Sequence, residues 1–395
     1  MDKIKNPFSP GAGTPPPELV GRDELLEDAS VLFARTKLKR PEKGILLTGL
    51  RGVGKTVLLN EMERVAKEKY AYETMFLELR EESSISLQLI PKLKNLLYKL
   101  SLSHNISDKA RRAIAVLKSF ISGIRVKTDS GVEYGIDIDP ESGSADSGDI
   151  SIDMPNLLVA VAEAALEHNT CIAIFIDEIQ FMNTREFEAI ILAMHRMQQL
   201  QLPMVLVGGG LPILFSLAGE SKSYAERLFN FPYIGKLSKE DSIKAVQDPI
   251  IREKECIDED ALEEIYRITE GYPYFIQEWG YQVWNKTKCS PITLQDVQEA
   301  SQTALKRLDE NFFKVRFARL TPKEKTFLRF MAEIGDADCK TSSVADLMHK
   351  KMSDITAIRS SLLKKGMIFS PAHGYVAYTV PLFGEFLKRI IPQCA

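Results

Sequence analysis

Over its first half the chain alternates short, wholly apolar runs with longer stretches of helical periodicity. Residues 44–48 (GILLT), 171–176 (CIAIFI) and 204–207 (MVLV) have almost no polar position on either face, the mark of strands buried on both sides. Further strands are expected at 74–79 and 231–237. Between them, residues 23–36, 57–69, 83–125, 154–168 and 184–200 carry helical periodicity. Such alternation implies an α/β fold, a parallel sheet sandwiched between helices. From about 239 to 308 the pattern is helical only, broken at Gly271-Tyr272-Pro273.

The last stretch reads as three short helices, a hairpin and a final helix. Thr321 is placed as an N-cap, Pro322 at the first helical position, and Glu324 completes a capping box. Residues 342–349 make the second helix. Residues 353–365 make the third, with Ser353 as cap and Gly366 as stop. Residues 367–370 and 375–379 flank Pro371-Ala372-His373-Gly374 as the strands of a wing-like hairpin. No internal repeat is visible.

Two segments stand outside these patterns. Residues 5–17 (KNPFSPGAGTPPP) read as an extended arm, since consecutive prolines cannot occupy a helix interior. Residues 127–153 hold eight acids against one Lys and read as an exposed, hairpin-like insertion.

Composition bounds the class. With 395 residues, two or three domains are expected. The 45% hydrophobic and 27% charged residues are those of a globular protein. No apolar run is long enough to span a bilayer, so no membrane partner is expected. The five cysteines are scattered without C-x-x-C pairing, which fits a cytoplasmic setting and argues against a zinc site. The net charge of −3 conceals an asymmetry. Residues 311–395 carry 14 Lys and Arg against 7 Asp and Glu, and the remainder 37 against 47.

Gly49, Leu50, Arg51, Gly52, Val53, Gly54, Lys55 and Thr56 fit G-x-x-x-x-G-K-[ST] in full, after a strand and, from Val57 on, within a helix. Glycines let the backbone turn its N–H groups onto phosphate oxygens, and the helix N-terminus adds positive partial charge. Lys55 would reach the β- and γ-phosphates of ATP and the Thr56 hydroxyl would bind Mg²⁺. Arg51 is expected to be exposed. At the end of the strand 171–176, Asp177 would hold the Mg²⁺ shell and Glu178 would polarise the attacking water. Gln180 stands between helping to orient water and an ordinary surface role.

These motifs, with Val20-Gly21-Arg22 upstream and Gly271-Tyr272-Pro273 downstream, resemble the AAA+-type P-loop ATPases, in the branch shared by origin-recognition initiators and STAND signalling ATPases. The resemblance spans about residues 18–390. It implies a P-loop core at 18–238, a helical lid at 239–310 and a winged-helix-like domain at 311–395, with the arm at 1–17 in front. It also implies that Leu19, Val20 and Gly21 line the adenine pocket, closed by Tyr272 and Pro273. A hydrophobic staple and a plain helix break are the alternative roles of these two groups. Arg227 would serve a neighbouring subunit's γ-phosphate as an arginine finger in a homo-oligomer, or pair locally with Glu226 or Asp241. Two departures are plain. The fourth strand ends in Gly208-Gly209-Gly210, with no polar side chain to sense the γ-phosphate, and no arginine follows the Gly-Tyr-Pro element. Both point to slow hydrolysis.

The expected function is therefore an ATP-binding, slowly hydrolysing switch that signals through lid and winged helix, cycling between ATP and ADP. The alternatives are an ATP-controlled DNA-binding initiator or loader, and a nucleotide-binding scaffold without turnover. Residues 311–395 would contact duplex DNA or a protein partner.

Overall fold

The computed structural model describes all residues except 12, 82, 102–106, 126–138, 215–218, 220–224, 336–337 and 392–395. The chain forms two compact units. One comprises residues 22–49 and 55–234, the other residues 1–21, 50–54 and 235–395.

The first unit is built on a parallel sheet. Its strands are β1 (Gly44–Gly49), β2 (Glu73–Glu78), β3 (Ile172–Asp177), β4 (Met204–Gly210), β5 (Phe229–Asn230) and β6 (Tyr233–Ile234). Their order is β2-β3-β4-β1-β5, with β6 also on β1, and every pairing is parallel. β1, β3 and β4 are buried along their whole length, as their unbroken apolar runs require. The register sets Thr48 beside Gly210 and Ile176 beside Gly208, so β1, β3 and β4 end close together at one edge. In a parallel sheet that carboxyl edge is where ligands bind.

Helices Lys55–Glu68, Ile85–Ser101, Asp108–Arg125, Ile150–Glu167 and Thr184–Gln199 accompany the strands. The helix expected at 154–168 starts four residues earlier, because Asp149 caps it by accepting from the Ser151 N–H at 3.0 Å. The end of the acidic insertion is thus helical. Asp153, inside that helix, accepts from the Ser147 and Gly148 backbone N–H groups and so ties down the preceding turn. The strand read at 131–138 lies outside the described residues. Of the strand expected at 231–237 only β6 (Tyr233–Ile234) forms; β5 lies just before that range, and Pro232 between the two lends its carbonyl to the Thr48 N–H at 2.9 Å.

The second unit is mostly helical: Lys239–Arg252, Glu259–Thr269, Pro273–Lys286 and Leu294–Arg307, then a π-helix at Leu308–Phe313 running directly into Lys314–Ala318. Helices Pro322–Ile334, Thr341–Leu347, Met352–Lys364 and Phe383–Ile390 follow. They surround a small antiparallel sheet in which β9 (Tyr375–Tyr378) lies between β7 (Cys339–Lys340) and β8 (Ile368–Phe369). The hairpin is where the sequence places it, and β7 is an added edge strand. The capping box at Thr321 and Glu324 forms as expected. The helix expected from 353 starts at Met352 instead, and Ser353 does not cap it.

Glu324 does more than cap. Its carboxylate is buried and accepts from the Thr321 N–H at 2.7 Å, the Ser361 hydroxyl at 2.6 Å and the Lys365 ammonium at 2.8 Å. Burial alone would raise its pKa, but the bonds from Lys365, Ser361 and Thr321 outweigh it and hold the group down at about 2. A carboxylate depressed on folding adds stability above its unfolded pKa, lost as pH falls through the folded value. Between pH 5 and pH 2 this contact should therefore give up about 3 kcal/mol. Urea titrations at the two pH values check it: Glu324→Gln should lessen the loss of stability between them by about that amount, and an equally acid-sensitive variant would count against the assignment.

The arm at 1–17 opens with a short 3-10 helix at Lys3–Lys5, where the sequence predicts a wholly extended segment, and it is docked. Phe8 is 2% exposed, and a Cβ on Gly280 would lie 2.6 Å from its ring. Gly280 is thus a socket in the middle of helix Pro273–Lys286. Asn6 donates to the Tyr281 carbonyl and to Asn285 Oδ1, both at 3.0 Å, and the Trp284 indole donates to the Asp2 carbonyl at 2.8 Å. Among the described residues no helix is long and apolar enough to cross a membrane.

Candidate phosphate-binding site

β1 ends at Gly49 and helix Lys55–Glu68 begins six residues later. In the connecting loop Gly52 and Gly54 have φ of +82° and +95°, a backbone that side-chain-bearing residues rarely adopt. A Cβ on Gly54 would meet nothing within 4 Å, so the requirement there is conformational and the space beside it is open. At Gly52 it would lie 3.0 Å from the Tyr272 ring. Tyr272 is 1% exposed, and the Tyr274 N–H donates to the Gly52 carbonyl at 3.2 Å. Residues 50–54 belong to the helical unit and Lys55 and Thr56 to the sheet unit.

Within the sheet unit the chemistry gathers at the adjoining ends of β1, β3 and β4. Lys55 is buried and donates to the Gly49 carbonyl at 3.0 Å. Thr56 donates its hydroxyl to Asp177 Oδ2 at 2.5 Å. Asp177 is 2% exposed, and burial pushes its carboxyl up, against the Thr56 hydrogen bond that favours the ionised form. A buried carboxylate beside a hydroxyl, at the foot of a glycine-rich loop, is a donor set that suits Mg²⁺ with phosphate oxygens.

Glu178 follows in a left-handed conformation at φ +55°, which turns the chain sharply out of β3. Its carboxylate accepts a hydrogen bond from the Gln180 amide, and Gln180 Oε1 accepts from the Leu211 N–H at 3.0 Å. Gln180, for which the sequence allows two roles, therefore fixes Glu178 to the chain just beyond β4. The triple glycine there has a physical reason. A Cβ on Gly208 would lie 2.2 Å from Ile179, one on Gly209 3.0 Å from Leu59, and one on Gly210 2.6 Å from Gln180 Oε1. The polar group at the end of β4 is Gln180, arriving from the neighbouring strand.

The other candidates are placed as follows. Leu50 and Val57 are half-buried and Val53 is buried. Leu19 and Val20 are half-buried, and Gly21 has φ +67° with Asp241 packed where a Cβ would sit. This segment is tied to helix Lys239–Arg252 by an ion pair between Glu18 and Arg252. Pro273 opens its helix at the first position. Arg227 is exposed on helix Ala225–Leu228, and among the described residues it makes no ion pair with Glu226 or Asp241. Arg51 corrects the sequence expectation: it is not exposed but half-buried, because the loop backbone turns its Nε into a buried position without a hydrogen-bond partner. Arg316, which the sequence marks only as one of the tail's basic residues, is also half-buried, and its Nε too is buried and unbonded.

Residues 18–207 match the family described as AAA ATPase domain, and residues 310–387 match one described as a domain of unknown function (DUF8462). No curated protein matches the chain. Among solved structures, the Walker-type ATPase of Pyrococcus abyssi superposes with a TM-score of 0.57 at 14% identity, covering 95% of this chain and 98% of that one. Cdc6p from Pyrobaculum aerophilum aligns at 14% identity and TM-score 0.48, covering 98% and 97%. RuvB of Thermotoga maritima, a Holliday junction branch migration motor, aligns at 14% and 0.44, covering 94% and 96%. The first of these shows a shared fold along nearly the whole chain.

Proposed function

Residues 18–207 being an AAA+ P-loop ATPase domain, we propose that the protein binds ATP with Mg²⁺ at Gly49–Thr56, hydrolyses it slowly, and passes its nucleotide state to a partner through residues 311–395. The observation that carries this reading is the Lys55, Thr56, Asp177 and Glu178 constellation at the adjoining ends of three buried parallel strands. Mg²⁺ at Thr56 and Asp177 would neutralise phosphate charge. Lys55, which donates to a backbone carbonyl, would turn its ammonium to the phosphates. Glu178 would accept a proton from the attacking water. The hydrogen bond from Gln180 restrains that carboxylate and so favours slow turnover. Leu19, Val20, Gly21, Tyr272 and Pro273 would contact the base, and Arg227 would act on the γ-phosphate held by a second copy.

The C-terminal module we take as a winged helix that contacts protein. Its third helix exposes Ser353, Asp354, Thr356, Ala357 and Ser360, with Lys364 as the basic residue at its end. That face is mostly uncharged, its exposed bases lying at the two ends, Lys350 and Lys351 before the helix and Lys364 at its close. Several bases of the module are spent internally, Lys365 on Glu324, Arg329 on Glu333 and Arg389 on Asp309. Phosphate-backbone binding needs free Lys and Arg. The test pairs ATP turnover with a duplex-DNA titration over salt. We expect turnover that needs Mg²⁺, and DNA binding no tighter than the non-specific range of about 10⁻⁴–10⁻⁶ M. Nanomolar, salt-dependent DNA binding would replace the protein-contact reading with the initiator one.

A further inference from the structure

Glu186 is a buried acid with no part in the phosphate site, and it is 3% exposed. It stands in the first turn of helix Thr184–Gln199, where its own N–H donates to the Asn183 side chain at 2.9 Å. Its Oε1 reaches away from that helix and accepts from the Ser84 hydroxyl at 2.7 Å and from the Ile85 N–H at 3.1 Å. Ile85 opens helix Ile85–Ser101, so a carboxylate on one helix caps the N-terminus of another. The other oxygen, Oε2, is buried and has no hydrogen-bond partner among the described residues. The bonds to Ser84 and Ile85 are thus what holds this carboxylate in place.

The two helices follow two neighbouring strands. Helix Ile85–Ser101 comes after β2, and helix Thr184–Gln199 comes after β3 by way of Asp177, Glu178 and the 3-10 turn Ile179–Phe181. The exits of β2 and β3 are bonded at two points. Close to the strands, the Leu79 N–H donates to the Asp177 carbonyl at 3.1 Å. Farther on, Glu186 holds Ser84 and Ile85. Glu178 lies on the span between these points. That span is short and internally bonded, the Phe181 N–H donating to the Glu178 carbonyl at 3.0 Å and the Met182 N–H to the Ile179 carbonyl at 2.8 Å. It begins with the left-handed φ of +55° at Glu178, a conformation that persists only where the surroundings hold it. We propose that Glu186 is a positioning residue for hydrolysis: by fixing the far end of the span 178–186 to helix Ile85–Ser101, it keeps the Glu178 carboxylate where it meets the attacking water. This rests on the reading that Glu178 takes the proton of that water. All of these residues belong to the sheet unit.

Glu186→Ala removes the far anchor. Turnover at saturating ATP should fall about 10- to 100-fold, as expected when a reacting group is displaced by about an ångström. ATP affinity should stay within about twofold, since Lys55, Thr56 and the loop are untouched. Glu186→Gln should recover most of the loss, because the amide oxygen can still accept from Ser84 and Ile85. Asp153→Ala is the control. Asp153 is likewise a buried carboxylate, accepting from the Ser147 and Gly148 N–H groups at 3.1 and 2.9 Å, and among the described residues it has no hydrogen bond to 178–186. Urea titration should show both alanine variants destabilised, with turnover lost only in Glu186→Ala. Should Glu186→Ala not fold, Ser84→Ala removes one of the two bonds and should lower turnover about three- to tenfold at unchanged ATP affinity. If the folded anchor variant turns over within about twofold of the unaltered protein, if Glu186→Gln recovers nothing, or if Asp153→Ala loses turnover equally, Glu186 is a helix cap alone. If Glu178→Gln hydrolyses ATP as fast as the unaltered protein, the reading of Glu178 falls and this proposal with it.

Discussion

Replacing Glu178 by Gln is expected to cut ATP turnover about 10²–10⁴-fold while leaving ATP affinity within a few-fold of the unaltered protein. The substitution keeps size and shape and removes the group that can take a proton. The left-handed backbone and the bond to Gln180 tolerate an amide, because the carbonyl of the new side chain can still accept from the Gln180 amide. Binding survives because Lys55, Thr56 and the loop N–H groups are untouched. Single-turnover hydrolysis of radiolabelled ATP, alongside equilibrium binding, separates the two effects. A variant that hydrolyses within tenfold of the original would remove Glu178 from the reaction.

Lys55→Ala is expected to do the opposite, and to a comparable degree. A lysine ammonium bridging two phosphates contributes two charge-assisted bonds, each about 1.5–3 kcal/mol. Affinity should therefore drop about 10²–10⁴-fold. The fold should survive, since the Gly49 carbonyl to which Lys55 donates can take water in place of the ammonium. Titration with a fluorescent ATP analogue measures the loss, and circular dichroism shows that the chain is folded. Unchanged affinity would move the nucleotide to another site.

How much of this is legible in the sequence depends on whether the signal is local. β1, β3 and β4 can be read because both faces are buried and nearly every position is apolar. The phosphate loop can be read because its chemistry is contiguous. The capping box at Thr321 and Glu324 is local, but the bonds from Ser361 and Lys365 that depress Glu324 come from some 40 residues away. The strand read at 231–237 holds only β6, and β5 escapes notice because it is two residues long. β7 is two residues long and too short to show a period. The Gly208-Gly209-Gly210 run looks in the sequence like a missing sensor. It is room for Ile179, Leu59 and Gln180, a fact that exists only once β3, β4 and helix Lys55–Glu68 are packed together. Arg316 carries no linear mark that distinguishes it from the other basic residues of the tail.

Phe8 also sets an order of events during synthesis. Its socket at Gly280 is made about 270 residues after it. At about 5–20 residues per second, that is a wait of roughly 14–54 s. The sheet unit, which ends at residue 234, can be fully synthesised in that interval. The helical unit cannot, because its first residues wait for helix Pro273–Lys286. A ribosome stalled near residue 280 would carry a finished sheet and an open, protease-sensitive N-terminus.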